Sequence, residues 1–406
     1  MAIQESIIHT VNPITSINSS KAHESPIDFV IASNVDLLLD ISNLFLEIKG
    51  QIVTDDEAKF VDADEVKPIK SLLNTLFSDI EIRLNDVLIT STSGNHPYRA
   101  FIEQELSYSE DAKKTQLAAD GYYHNEETML ATYNKAKNEK NVNLYGRLHL
   151  DLLSQSKVLP GGVSVKLRLN RKKPEFYLIC NASCAAKNPY LRINEAILHV
   201  KKYRLTASTF MEMERTLLKH KAVYPLQNAQ VRSFSLSPGQ QSFELANVIL
   251  GKLPDKVIAG FVSHSSMIGD YLTDPLKFGP HDLTSFKIFI DGNQFGLGFD
   301  TNYSNTHLPD CIRAFNSISQ ILNLADTGNG ISLDRYYRGG LTLYAFDLTR
   351  DMSGQTCLYQ NPIRSGILSV KLNFSKPLTQ ALNLVMYLDM KEYITIDFKR
   401  HVTKTE

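Results

Sequence analysis

Eleven histidines and four cysteines are the side chains in this sequence best suited to hold a metal or carry a nucleophilic reaction, and their spacing decides whether they do. Cys180-Asn181-Ala182-Ser183-Cys184 could open a zinc site, but no second Cys or His pair follows to complete a tetrahedron. Cys311 and Cys357 stand alone. The four thiols read as ordinary buried or part-buried cysteines, too few for a disulfide scaffold and suited to a reducing compartment. His220 lies between Lys219 and Lys221, an exposed pattern, and His281-Asp282 follows Gly279-Pro280 as a turn would. His264-Ser265-Ser266 has no partner recognisable from spacing. His149 and His199 sit singly on strands, where a cupin-type metal site needs several histidines and a carboxylate. Gly328-Asn329-Gly330 lacks the third glycine and the strand-to-helix context of a dinucleotide loop, so it reads as a turn. No zinc-protease helix, nucleophile elbow or calcium-loop spacing occurs. Asp300, Asp310 and Asp326 fall in loops that could meet a sugar or cation, but solvated loop charges account for them better. Asn181-Ala182-Ser183 and Asn302-Tyr303-Ser304 match glycosylation sequons that mean little without a secretory signal. The expectation is a chain with no catalytic, cofactor-binding or metal-ligating residues.

Bulk properties narrow the class. At 406 residues the chain is long for one domain. Hydrophobic content of 43% with 21% charge excludes a disordered chain. No run approaches the ~20 apolar residues of a membrane helix. The start Met-Ala-Ile-Gln-Glu-Ser lacks the plan of a secretory signal, so a non-secreted product is expected. Lys plus Arg total 43 against 44 Asp plus Glu. With no basic excess or stripe, contact with nucleic acid is expected to be local at most. A net charge of −1 weakens self-repulsion and suits self-association.

The elements that must position any site are strands. Residues 1–25 are polar and aperiodic and read as an extended arm. Strand patterns then appear at Ile27–Ile31 and Leu44–Ile48, where Leu44, Leu46 and Ile48 share one face. In Ile80–Ile89, residues Ile80, Ile82 and Leu84 alternate with Glu81, Arg83 and Asn85 before an Asn-Asp turn, as a sheet with one wet face requires. Further strands are expected at Arg147–Leu152 (Leu148, Leu150 and Leu152 inward), Val163–Leu169, Phe176–Ile179 and Ala196–Val200. About eight strands with no regular helices between them make an antiparallel sandwich or jelly roll and exclude a parallel α/β sheet. Residues 107–141 are charged, Tyr-rich and weakly periodic, an expected part-helical surface insertion. A helix is expected over 207–225, from the capping-box spacing of Thr209 and Glu212 and the apolar Met211, Leu217 and Leu218. Strands resume at Phe243–Leu250 and Val257–Val262.

The later strands echo the earlier ones. Ile80–Ile89 is matched by Phe286–Phe295, and Arg99-Ala100-Phe101 by Arg313-Ala314-Phe315, again opening a helical stretch (Phe315, Ile318, Leu322). Asp151-Leu152 is matched by Asp347-Leu348. Ser164-Val165-Lys166-Leu167 recurs letter for letter as Ser369-Val370-Lys371-Leu372. Four matches in the same order, each about half a chain apart, point to a duplicated domain whose loops absorb the differences in spacing. The predicted fold is all-β: two tandem eight-stranded antiparallel jelly rolls with a short helical linker and long loop insertions. The arm would be 1–25, the first roll 26–206, the linker 207–225 and the second roll 226–406. Tyrosines outside the strands (Tyr98, Tyr122, Tyr123, Tyr303, Tyr336, Tyr337) suit interfaces, because tyrosine buries area and keeps a polar tip; ordinary loop packing explains them equally.

These runs carry a resemblance. Leu76–Asn85 with Pro97–Glu103, Leu253–Ile258, Tyr344–Thr349 and Gly366–Phe374 resemble the major capsid proteins of Polinton (Maverick) elements and the related adintoviruses, over roughly residues 27–400. The resemblance implies a hexon-like double jelly roll that trimerises into a pseudo-hexagonal capsomer and builds an icosahedral shell. It implies a virion location, self-contacts and a penton-type minor capsid partner, with no cofactor. It would place residues 107–141 and 301–337 outward or at trimer contacts, and the arm at the capsid base. It leaves open whether a membrane lies beneath. From the residues alone, a cytoplasmic two-domain, lectin-like β-sandwich using Asp300 or Tyr336 is the alternative.

Overall fold

The computed structural model describes residues 2–17, 25–55, 60–61, 64–123, 140–303, 310–322, 328–351 and 362–405. The first ten strands are β1 (Ile3–Val11), β2 (Ile27–Ile31), β3 (Leu37–Val53), β4 (Val66–Pro68), β5 (Phe77–Leu84), β6 (Val87–Ser91), β7 (Lys140–Gly146), β8 (Val165–Arg171), β9 (Leu178–Cys180) and β10 (Tyr190–Leu205). Eight of them form two four-stranded sheets, β1-β10-β3-β7 and β2-β8-β5-β6, while β4 and β9 make a separate ribbon. Every pairing with a described register is antiparallel. The next strands are β11 (Ala222–Leu236), β12 (Ser242–Lys252), β13 (Lys256–Ser263), β14 (Leu283–Ile290), β15 (Asn293–Asp300), β16 (Leu343–Asp347), β17 (Ser365–Phe374) and β18 (Leu382–Ile396). Their sheets run β11-β18-β13-β16 and β12-β17-β14-β15, with a last strand, β19 (Val402–Thr405), on β18.

If the ribbon is set aside and each set of eight is counted in chain order, both give sheets 1-8-3-6 and 2-7-4-5. That is the two-sheet order of a jelly roll, and the protein contains it twice. The predicted landmarks occupy equivalent places. Ile80–Ile89 spans the β5–β6 hairpin and Phe286–Phe295 the β14–β15 hairpin. The copied Ser-Val-Lys-Leu enters β8, with Ser164 just before it, and lies on β17, the seventh strand of each roll. In both hairpins the two turn residues have positive φ: Asn85 and Asp86 (45° and 68°), Asp291 and Gly292 (50° and 80°). A type I′ turn requires that geometry, and Asn, Asp and Gly tolerate it best. Asn85 is fixed further: its Oδ1 accepts from Ser164 N at 2.8 Å, and its Nδ2 donates to the Arg400 carbonyl at 2.9 Å.

Alternation sets the cores. Ile80, Ile82 and Leu84 are buried, as are Leu44, Leu46 and Ile48 on β3 and Val165, Leu167 and Leu169 on β8. On the wet face of β2-β8-β5-β6, Asp28 pairs with Arg168 at 2.8 Å and Asp86 with Lys166 at 2.6 Å; exposed pairs such as these add little stability. The second roll has an aromatic core. The ring of Phe286 lies 5.0 Å from that of Phe346, 5.3 Å from Tyr344 and 6.1 Å from Phe261.

Several expectations need correction. The stretch read as an arm contains β1, because its backbone pairs with β10 from Ile3↔Leu205 to Val11↔Leu198; its apolar Ile3, Ile7, Ile8 and Val11 do not alternate, so the strand leaves no period-2 signal. Arg147–Leu152 is not a strand. Leu148, Leu150 and Leu152 are buried, but from a loop and a short 3-10 turn. Phe176–Ile179 is half strand, since Pro174 starts a helical turn over Pro174–Tyr177 before β9. The linker helix runs Ala207–Lys219 and stops short of the expected 225, because β11 takes the chain from Ala222. Met211 and Leu218 are exposed, while Phe210, Met213 and Leu217 turn inward at helical spacing.

Two compact units emerge: Met1–Ala100 with Lys113–Asn228 and Glu392–Glu406, and Phe101–Ala112 with Ala229–Lys391. They differ from a contiguous division into 26–206 and 226–406, because each unit takes a segment from the other half of the chain. In the insertion expected at 107–141, Glu110–Lys114 is helical and Gln116–Asp120 a 3-10 turn. Residues 124–139 lie outside the described residues, as do 304–309 and 323–327 within the stretch 301–337.

Candidate functional site

The residues singled out by chemistry do not converge. Among the described residues no group of three or more His, Cys, Asp or Glu side chains could hold a metal ion. His149 is part-buried, His220 exposed at the end of the linker helix, and His264 contacts Asn383 Oδ1 at 3.3 Å. Asp300 accepts from Ser285 at 3.2 Å. Asp310 forms a backbone bridge with Asn302. Asn329 accepts from Ile331 N at 3.2 Å, making the Gly328–Gly330 stretch the expected turn. Asp326 and Cys357 lie outside the described residues. Cys180 and Cys184 are brought together, and the hydrogen bond between them holds the Cys184 thiol below its usual range. Cys311 is buried and unbridged, and its thiol is pushed up to about 11 by burial.

The loop tyrosines behave differently from interface residues. Tyr98, Tyr122 and Tyr336 are fully buried. Tyr98 packs edge-on against Phe176, and Tyr336 donates to the Leu343 carbonyl at 2.9 Å. The Tyr303 and Tyr344 hydroxyls meet at 2.9 Å, and burial pushes Tyr303 up to about 12. The Tyr336 and Tyr344 phenols are raised too, again chiefly by burial. The Tyr303, Tyr336 and Tyr344 hydroxyls tie their segments to the core, while Tyr98 is held by ring packing.

His281 sits in the Gly279–Asp282 turn with φ of 47°. Burial lowers its pKa, outweighing a backbone hydrogen bond at Phe261 and the Asp282 charge, which raise it. The unfolded chain therefore takes up a proton here before the folded one does. Stability contributed at this position should be full above pH 6.5, the group's ordinary value, and should fall as pH drops below it. Unfolding midpoints measured across that window should show the slope, and His281→Phe should remove this part of it.

The surface best suited to contact was missed from sequence. On the outer face of β1-β10-β3-β7, Phe45 stands opposite His199, and Glu47 opposite both Ile197 and Tyr145. Phe45 and Tyr145 stack at 5.2 Å with 6° between planes, Tyr145 lies 5.6 Å from His199, and Arg147 covers Phe45 at 5.1 Å. His199 Nε2 approaches Glu47 at 2.8 Å, and Lys49 joins Glu47 (3.1 Å) and Glu195 (2.9 Å). Hydrogen bonds with His199 and Lys49 hold the Glu47 carboxyl below its usual range. Stacked rings framed by charge can dock a flat apolar partner while keeping polar groups at the rim, an arrangement common at protein interfaces. The signal available was Phe45 itself, an aromatic residue out of phase with Leu44 and Leu46. The first unit also holds an apolar pocket of about 390 Å³ lined by Leu38, Val158, Pro160, Met213, Leu217 and Tyr224.

No family model matches the chain. An uncharacterized Caenorhabditis elegans protein, F54H12.2, is 24% identical over 408 residues, covering 96% of this chain and 95% of that one. Solved structures share the architecture. A chain of the Sputnik virophage matches with a TM-score of 0.65 at 9% identity, covering 100% of this chain and 89% of its own. A chain of the PBCV-1 virus capsid matches at 0.62 with 10% identity, covering 99% and 97%. The mavirus major capsid protein matches at 0.53 with 10% identity, covering 98% and 90%. At such identities the likeness is one of fold, and the fold is a double jelly roll.

Proposed function

We propose that this chain is a major capsid protein, a structural subunit that trimerises into pseudo-hexagonal capsomers and tiles an icosahedral shell. The observation that carries the reading is the same eight-strand order occurring twice in one chain. Two similar rolls in each of three copies give a trimer six similar corners, which can pack as a hexagon with only three chains. The full-length fold likeness to chains of viral capsids supports it, and so does a net charge near zero, which suits dense self-packing. Kinship with the Polinton and adintovirus proteins is the finer form of the proposal, supported by the residue runs given above and by the mavirus match.

On this reading the chain performs no catalysis, resides in the virion, meets a penton-type partner at the vertices and touches packaged DNA only locally. Light scattering on the purified chain should report a trimer, with interfaces well above ~2,000 Å² in total, and electron micrographs should show capsomers or particles. A stable monomer at high concentration with neither would sink the proposal. Glycan-dependent binding by such a monomer would favour the lectin-like alternative. Phe45→Glu, which places a charge in the outer aromatic stack, tests whether that face takes part. Intact folding with loss of trimer or particles is the expected result.

A further inference from the structure

In the second unit a buried lysine has no partner although aspartates stand on both sides of it. Lys256 opens β13, opposite Asp389 on β18 and Asp347 on β16. Directly opposed residues of antiparallel strands put their Cβ atoms about 4.5–5.5 Å apart on the same face, so the three side chains project together. Lys256 is 3% exposed, and its Nζ has no hydrogen-bond partner. A buried, unpaired ammonium is among the most costly arrangements a fold can hold.

The aspartates are not equivalent. Asp347 Oδ1 accepts from Thr349 N at 2.9 Å and Thr349 Oγ1 at 2.6 Å, which hold its carboxylate in place. Asp255 is drawn away by Lys391 at 2.7 Å. Asp389 is buried, and its backbone carbonyl holds Asp255 N at 2.8 Å.

We propose that Lys256 and Asp389 join in an intramolecular isopeptide bond between Nζ and Cγ. Proton transfer from the ammonium to the Asp389 carboxylate first gives a neutral amine and a neutral acid. The Nζ lone pair attacks Cγ and forms the C–N bond. Asp347 accepts the second Nζ proton and returns it to the departing hydroxyl, so the Cγ–O bond breaks and one water leaves. Atoms and charges balance without oxidant or cofactor. Burial favours the reactive amine: it lowers the Lys256 pKa, outweighing the charges of Asp389, Asp347 and Asp255, which raise it. The product removes two buried charges and staples the third strand of the roll to its last.

The test is the intact mass of the full-length chain under denaturing, reducing conditions. The expected mass is lower than the sequence mass by one water, with tryptic cleavage after Lys256 blocked and one branched peptide joining the segments that carry Lys256 and Asp389. Lys256→Arg and Asp389→Ala should each restore the full sequence mass. A wild-type chain at full sequence mass, with Lys256 open to trypsin, would overturn the proposal and leave a water-bridged ion cluster; this reading needs no variant to fold. A mass deficit that survives Asp389→Ala would overturn the choice of Asp389.

Discussion

Replacing Arg99 with alanine should lower the unfolding free energy by about 3–5 kcal/mol, because it strands a buried carboxylate. The Arg99 guanidinium holds both oxygens of Asp151, at 2.6 and 3.1 Å, with each side chain only 3% exposed. In such a pair, mutual attraction roughly offsets the desolvation of both charges, so the pair matters most when only half of it is removed. The double variant Arg99→Met with Asp151→Leu should therefore lie much closer to wild type than either single change. Arg313 provides the control. It begins the matching Arg-Ala-Phe of the second roll, but it is exposed and donates to the Gly298 carbonyl. Arg313→Ala should stay within about 0.5 kcal/mol. Chemical denaturation of these variants decides it; equal losses for Arg99→Ala and Arg313→Ala would defeat the argument from burial.

Phe286→Ala should cost about 3–5 kcal/mol through the cavity it opens. Phe286 is fully buried with its ring within 5.3 Å of Phe346 and Tyr344, and these neighbours are held by strand backbones that cannot collapse inward far. Phe286→Leu should retain much of the lost stability. Because the cavity lies inside one roll, assembly of whatever chain remains folded should be unaffected. A variant with wild-type unfolding midpoint would show that this cluster packs less tightly than its ring distances imply.

The rolls themselves could be read from the sequence, and the reason is physical. An alternating strand such as Ile80–Leu84 writes its buried face into every second residue, and a type I′ turn writes itself into Asn85-Asp86 or Asp291-Gly292. The strands that escaped detection lack one of those signals. β1 is mostly exposed and its apolar residues do not alternate, because pairing with β10, a backbone matter, holds it. Leu148, Leu150 and Leu152 show the opposite error: alternation came from a loop lying against the core. The repeated Arg-Ala-Phe marked equivalent positions in the two rolls, yet Arg99 is in a buried ion pair with Asp151 while the exposed Arg313 donates to the Gly298 carbonyl. The outer aromatic face was visible only as a single out-of-phase residue, because its members come from β3, β7 and β10, far apart in the chain, and meet only by strand pairing. The tyrosines were ambiguous for a related reason. A phenol that satisfies a buried carbonyl and one that waits for a partner look the same as a letter.

The division of the chain into its units has a consequence for synthesis. Residues 392–406 belong to the first unit, so residues 1–100 and 113–228 must wait for this later segment before the unit is complete. The second unit in turn takes residues 101–112 from the first half. Cutting the chain near residue 225 should therefore yield two incomplete fragments in place of two domains. During synthesis the first unit would therefore stay incomplete until residues 392–406 had emerged.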